Sequence, residues 1–137
     1  MDFEGNLIVA DSKNHAIRLV NFTNNQVSTI AGTATVPGSA DRQGTAATFN
    51  KPYAVTVGLD GRYYVADKTN NEIRVISTSY YVSTLAGNVT AGQADGYSTS
   101  ASFNAPIGVG IGVNGSILVS DSSNHRIRSI NSSAYVR

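Results

Sequence analysis

Asp67-Lys-Thr-Asn-Asn-Glu-Ile-Arg74 is one of three copies of a single pattern. Asp11-Ser-Lys-Asn-His-Ala-Ile-Arg18 precedes it by 56 residues, and Asp121-Ser-Ser-Asn-His-Arg-Ile-Arg128 follows it by 54. The constant part is D-x-x-N-x-x-I-R. Short runs of aliphatic and β-branched residues flank each copy, and Asn, Asp and Gly punctuate them. Such runs read as strands, and the constant part reads as the turn between two of them.

Working outward, about 6–10, 16–20 and 26–31 are expected to be three strands. A second unit places strands at about 52–57, 62–66, 73–76 and 81–86, with Asp60-Gly61 as the hairpin signal between its first two. A third unit repeats this from Pro106 to Val113, Ser116 to Ser120 and Arg126 to Ile130, with an Asn114-Gly115 turn and a last strand only begun at Ala134-Tyr135-Val136. Named A to D, the strands run BCD, ABCD and ABC with a start of D. The repeat spans the whole chain as a single region, 1–137, with blade-like units at about 6–31, 52–86 and 106–137. A repeat of this length, made of four short antiparallel strands, predicts an all-β fold of stacked sheets, a β-propeller or a related array.

Bulk properties narrow the function classes. The net charge is +1, only 14% of residues are charged, and no Lys/Arg run occurs. That balance disfavours nucleic acid and anionic membranes as partners. No apolar run approaches the roughly 20 residues that span a bilayer, so membrane insertion is not expected. Cysteine is absent, which removes disulfides and thiolate metal sites. Met1-Asp-Phe-Glu-Gly5 lacks the character of a signal peptide and reads as the middle of a strand pair.

The loops between units are related as well. Ser28-Thr-Ile-Ala-Gly32 matches Ser83-Thr-Leu-Ala-Gly87, Ala40-Asp41 matches Ala94-Asp95, and Phe49-Asn-Lys-Pro52 matches Phe103-Asn-Ala-Pro106. The order V-S-T-[IL]-A-G, A-D, F-N-x-P, glycine-turned hairpin, D-x-x-N-x-x-I-R resembles the NHL-repeat proteins. The resemblance implies β-propellers, most often of six four-stranded blades, of which this chain holds about two and a half to three. It also implies a choice of functions: scaffolds and extracellular proteins, amidating-lyase-type enzymes, and RNA binders. An open stack of three sheets leaves two outer faces for a protein partner, or for further copies or blades, to cover. The start in strand B and the stop in strand D favour an incomplete stretch of a longer chain.

Candidate residues follow from position in the repeat. Asp11, Asp67 and Asp121 are expected to accept backbone N–H bonds across the B–C turn. Asn14, Asn70 and Asn124 are expected to take positive φ there. Arg18, Arg74 and Arg128 are expected to pair with a motif Asp of the same or the adjacent blade. Groups repeated in every unit serve architecture, since a catalytic centre needs its groups once. His15 and His125 read as turn-exposed; a shared metal is the alternative weighed against. Asp41 and Asp95 read as loop-closing acceptors, because a calcium site needs more oxygens than one carboxylate per loop supplies. Tyr63-Tyr64 and Tyr80-Tyr81 alternate in facing and form no stacking platform.

No G-x-S-x-G, P-loop or H-E-x-x-H occurs, so no catalytic residue, metal ligand or cofactor is assigned. Asn50 and Asn104, just before the strand that lines a propeller's channel, are the candidate channel-mouth ligand site. Four N-x-[ST] sequons, at Asn21, Asn88, Asn114 and Asn131, fall in turns or the long loop and predict exposed glycan positions on a secreted protein. The sum is a non-enzymatic interaction or structural module, extracellular and N-glycosylated. The alternative is part of a propeller lyase or lactonase-like enzyme with a metal in the channel, and RNA binding ranks behind both.

Overall fold

The computed structural model describes residues 1–137. Twelve strands form three antiparallel sheets, each a blade. Blade 1 holds β1 (Leu7–Asp11), β2 (Ala16–Asn21) and β3 (Gln26–Ala31). Blade 2 holds β4 (Pro52–Val57), β5 (Tyr63–Asp67), β6 (Glu72–Ile76) and β7 (Val82–Gly87). Blade 3 holds β9 (Pro106–Ile111), β10 (Ile117–Asp121), β11 (Arg126–Ile130) and β12 (Tyr135–Val136), with β8 (Gly96–Tyr97) added at its outer edge. No helix is long and apolar enough to cross a membrane.

The register is shared between blades. Val9 pairs with Arg18, Val65 with Arg74 and Val119 with Arg128. A bulge falls between the motif Ile and Arg where β2 meets β3 and where β6 meets β7. Beyond it Arg18 pairs with Thr29 and Arg74 with Thr84, each pair sharing one face of the sheet.

Period-2 alternation then divides each blade into two faces. Ile8, Ile17 and Ile30 of blade 1 pack against Tyr63, Val65, Ile76 and Val82 of blade 2, with Ala47 and Phe49 of the intervening loop. The other face of blade 2, with Tyr64, Ala66, Ile73, Val75 and Ala86, packs against Ile117, Val119, Ile130 and Val136 of blade 3, with Ala101 and Phe103. Tyr63 and Tyr64 thus enter different cores. Every residue of β5 and β6 is buried, because blade 2 has a neighbour on both sides.

One expectation about the motif turn is corrected here. Asp11, Asp67 and Asp121 end their strands, and a short 3-10 turn follows each of them. The left-handed residue is not the motif Asn but the next one: His15, Asn71 and His125 have φ of 56°, 55° and 56°. The Asn is instead the turn's hydrogen-bond donor. The interblade loops add edges to the blades they precede. Residues 42–44 run along the outer edge of blade 2, where Val82 N–H donates to Arg42 O and Gly44 N–H to Tyr80 O. β8 does the same for blade 3.

Candidate functional site

Arg74 is the centre of the best-developed polar cluster. Its side chain is fully buried under the 38–50 loop. Nη1 donates to Asp67 Oδ2 (3.1 Å) and Thr48 O (3.1 Å), and Nη2 donates to Asp41 Oδ1 (2.5 Å) and Ser39 O (3.4 Å). The guanidinium lies 5.2 Å from the centre of the Phe49 ring. Asp41 also receives Thr84 N–H (3.0 Å) and Thr84 Oγ1–H (3.1 Å). The loop is therefore fastened to its blade by charge-assisted bonds to a buried guanidinium, with the Asp41 end of the cluster open to solvent.

Blade 3 repeats most of this, with the second carbonyl shifted by one residue. Arg128 donates to Asp121 Oδ2 (3.1 Å), Asp95 Oδ1 (2.6 Å), Ser102 O (3.2 Å) and Ala94 O (3.1 Å), and lies 5.4 Å from the Phe103 ring centre. The backbone N–H groups that Asp67 and Asp121 accept come from the preceding loop and not from their own turn. Asp67 Oδ1 receives Asn50 N–H (2.8 Å) and Asp121 Oδ1 receives Asn104 N–H (2.7 Å). The motif asparagines close the set. Asn70 donates to Asp67 Oδ2 (2.7 Å) and Gly38 O (2.7 Å), and Asn124 donates to Asp121 Oδ2 (2.8 Å) and Gly92 O (2.6 Å).

His15 is less free than a turn-exposed histidine. Its Nδ1 accepts Lys51 N–H (3.0 Å), and Asn71 Oδ1 accepts Ala105 N–H (2.9 Å) at the next junction. Lys51 and Ala105 are themselves left-handed, with φ of 55° and 50°. The residue after the motif Asn thus pins the next blade's loop just before its proline. Asn50 and Asn104 carry their backbone N–H groups into the aspartate clusters, while their half-buried side-chain amides stay outside that network. They precede β4 and β9, which run side by side.

The same motif has different electrostatics in each blade. In blade 1, donation from Asn14 and the nearby Arg18 hold Asp11 below the usual carboxylate range. In blade 2, burial pushes Asp67 up against the pull of Arg74. Glu72, where blades 1 and 3 have Ala16 and Arg126, is pushed up to about 7 by burial, with Arg74 opposing. Glu72 Oε2 and Arg74 Nε are both buried without a hydrogen bond, 3.8 Å apart.

The outer faces are open. Leu7, Val9 and Val27 are exposed on blade 1, and Leu118 and Ile127 on blade 3. On blade 3 they line a shallow groove of about 360 Å³ with Gly108, Gly110 and Ser120. Of the sequon residues, Asn114 and Asn131 are exposed, but Asn21 and Asn88 are half-buried. Asn88 is committed: its amide donates to Thr99 O (3.1 Å) and Ala101 O (3.0 Å). The expectation that all four are exposed is corrected at these two.

Stacked four-stranded meanders, joined by loops that cross from the outer strand of one to the inner strand of the next, make this a segment of a β-propeller. Residues 103–128 match the NHL repeat. The chain thus carries the NHL repeat within a propeller-type stack of blades. It is 38% identical to NHL repeat-containing protein 2 of Bos taurus over 71 residues, 51% of this chain and 10% of that protein. The chain thus spans about a tenth of the length of that relative. A solved protein of unknown function from Bacteroides thetaiotaomicron superposes with a TM-score of 0.85 at 25% identity, over 98% of this chain and 33% of that one. Virginiamycin B lyase of Staphylococcus aureus superposes with a TM-score of 0.67 at 18% identity, over 100% of this chain and 38% of that one, a likeness of fold alone.

Proposed function

We propose that these blades are a non-enzymatic interaction and scaffold module. One observation carries the reading: the charged groups that recur in blades 2 and 3 are consumed inside the molecule. Asp67, Arg74, Asp121 and Arg128 bond one another and hold the interblade loops. What the blades offer outward is apolar sheet face and turn surface, which suits protein contact. Asn114 and Asn131, exposed in turns, are the proposed glycan positions on an extracellular form.

The rival reading, a metal-dependent propeller enzyme, makes the opposite forecast. Atomic-emission metal analysis of the dialysed chain is expected to give well under one divalent ion per molecule, with thermal stability unmoved by EDTA. A stoichiometric ion whose removal lowers the melting temperature would overturn the scaffold reading.

A further inference from the structure

We propose that the β9–β10 hairpin turn of blade 3 is a spontaneous modification site, at which Asn114 deamidates to a mixture of aspartate and isoaspartate. Asn114 is the only asparagine of the chain that a glycine follows, and both residues are exposed.

The reaction needs a main-chain nitrogen that can reach the side-chain carbonyl carbon of the residue before it, and it runs faster when that carbonyl is polarised. Gly115 has no Cβ to obstruct its own nitrogen. Asn114 Oδ1 accepts Ser116 N–H (3.2 Å) and Ser116 Oγ–H (2.7 Å). Both donors draw electron density from Cγ and stabilise the oxyanion that forms on attack. Gly115 N–H closes the turn on Gly112 O (2.9 Å). That bond lies at the solvent end of the hairpin, beside the fully exposed Val113, where opening is local and costs little.

Once the turn opens, Gly115 N attacks Asn114 Cγ and gives its proton to solvent. The Cγ–Nδ2 bond breaks, ammonia leaves, and a cyclic succinimide remains. Water then opens the ring at either carbonyl. One opening gives aspartate. The other gives isoaspartate, whose main chain runs through Cβ and is longer by one carbon. Water enters, ammonia leaves, and nothing is oxidised or reduced.

Two other turns act as internal controls. Blade 2 has Asp60-Gly61 at the equivalent place, and Asp60 Oδ1 accepts Arg62 N–H (3.1 Å) much as Asn114 accepts Ser116. Its Oδ2 accepts Arg62 Nε–H (2.7 Å) and Tyr64 O–H (2.9 Å). Burial raises the Asp60 carboxyl, but these donors outweigh it and hold the group below the usual carboxylate range. A carboxylate so held has no good leaving group. Asn131 is the closer control. It is exposed, and its Oδ1 accepts Ser133 N–H (3.0 Å) and Tyr135 N–H (3.0 Å). The residue after it is Ser132, whose side chain crowds the attacking nitrogen. The comparison isolates the glycine.

The leaving nitrogen, Nδ2, is the atom that a glycan on Asn114 would occupy. Deamidation and glycosylation therefore compete for one residue, and the product no longer carries a sequon. The new carboxylate joins Asp60, Tyr64 and Ser132 in the groove between blades 2 and 3. Isoaspartate there is the class of substrate that isoaspartyl methyltransferases accept.

The test incubates the 137-residue chain, made without glycosylation, in mildly alkaline buffer. Isoaspartyl methylation reads the product, and peptide mass mapping reads its position. Reaction at Asn114 is expected to run at least about tenfold faster than at Asn131. Ser132→Gly is expected to raise the rate at Asn131 by about tenfold. The comparison within the parent chain needs no variant, so it holds even where Ser132→Gly folds poorly. Three results overturn the proposal. One is an intact Asn114 when a synthetic peptide of residues 110–118 has fully reacted. Another is equal rates at Asn114 and Asn131 in the folded parent. The third is a folded Ser132→Gly chain with no gain at Asn131.

Discussion

Blade 1 and blade 2 carry the same eight-residue motif, yet only in blade 2 is it finished. Arg74 sits under a loop with four hydrogen-bond partners and an aromatic ring. Arg18 has two partners and remains open to solvent. The local sequence therefore decides the strand, the 3-10 turn and the left-handed residue, which are alike in both blades. It does not decide burial, which a neighbouring blade and its loop supply. A repeat protein stabilised this way resembles a one-dimensional stack in which interfaces carry much of the energy.

The largest test of that contrast is Arg74→Ala beside Arg18→Ala. Removing Arg74 strands Asp67, fully buried, and frees one end of the 38–50 loop, so a loss of about 3–5 kcal/mol is expected. Removing Arg18 breaks a half-exposed pair and should cost at most about 1 kcal/mol. Urea unfolding of both variants measures the gap. Equal losses would mean that the motif is a self-contained unit and that the loop contributes little.

The motif isoleucine sharpens the contrast from the apolar side. Ile73 is fully buried between blades 2 and 3, whereas its equivalent Ile127 is 72% exposed. Ile73→Ala should cost about 2–4 kcal/mol through lost burial and a cavity. Ile127→Ala should fall within about 0.5 kcal/mol of the parent. A larger loss at Ile127 in a dilute monomer would show that blade 3 is held by contacts within its own sheet that the packing does not reveal.

These contrasts mark what the sequence could and could not disclose. The three sheets, their strand order and the hairpin turns at Gly61 and Gly115 were legible, because alternation and turn chemistry are local signals. The left-handed position was misassigned to Asn14, Asn70 and Asn124. Asn is the usual candidate for positive φ, while a His in two of three copies hides the pattern; the copy with Asn71 was the available clue. The aspartates' real donors, the N–H groups of Asn50 and Asn104, lie 17 residues away along the chain, beyond any local reading. The lid formed by the 38–50 loop was half visible. Ala-Asp and Phe-Asn recur at a fixed spacing, but only the fold shows both ends meeting one guanidinium. Asn88 looked like a free loop residue because its partners, Thr99 and Ala101, come from the far end of the same loop.

Glu72 offers the smallest effect and the most specific one, since blades 1 and 3 place no acid there. Its carboxyl is buried and titrates at about 7 in the folded chain, above its ordinary value of 4.5. A raised folded pKa means that the folded state keeps its proton longer than the unfolded chain does. The associated stability is complete below about pH 4.5 and is lost as pH rises through 7. Asp67 shifts in the same direction, so wild-type pH dependence alone would not assign the effect. Glu72→Gln isolates it, because the amide stays neutral throughout. The variant should match the parent near pH 4 and exceed it by roughly 1–2 kcal/mol at pH 8. That is less than the full linkage, because Arg74 Nε, 3.8 Å away, can turn to meet the charge. Parallel curves for parent and variant across that range would place the Glu72 proton outside the folding equilibrium. Blade 2 would then differ from its neighbours in burial only, and not in charge.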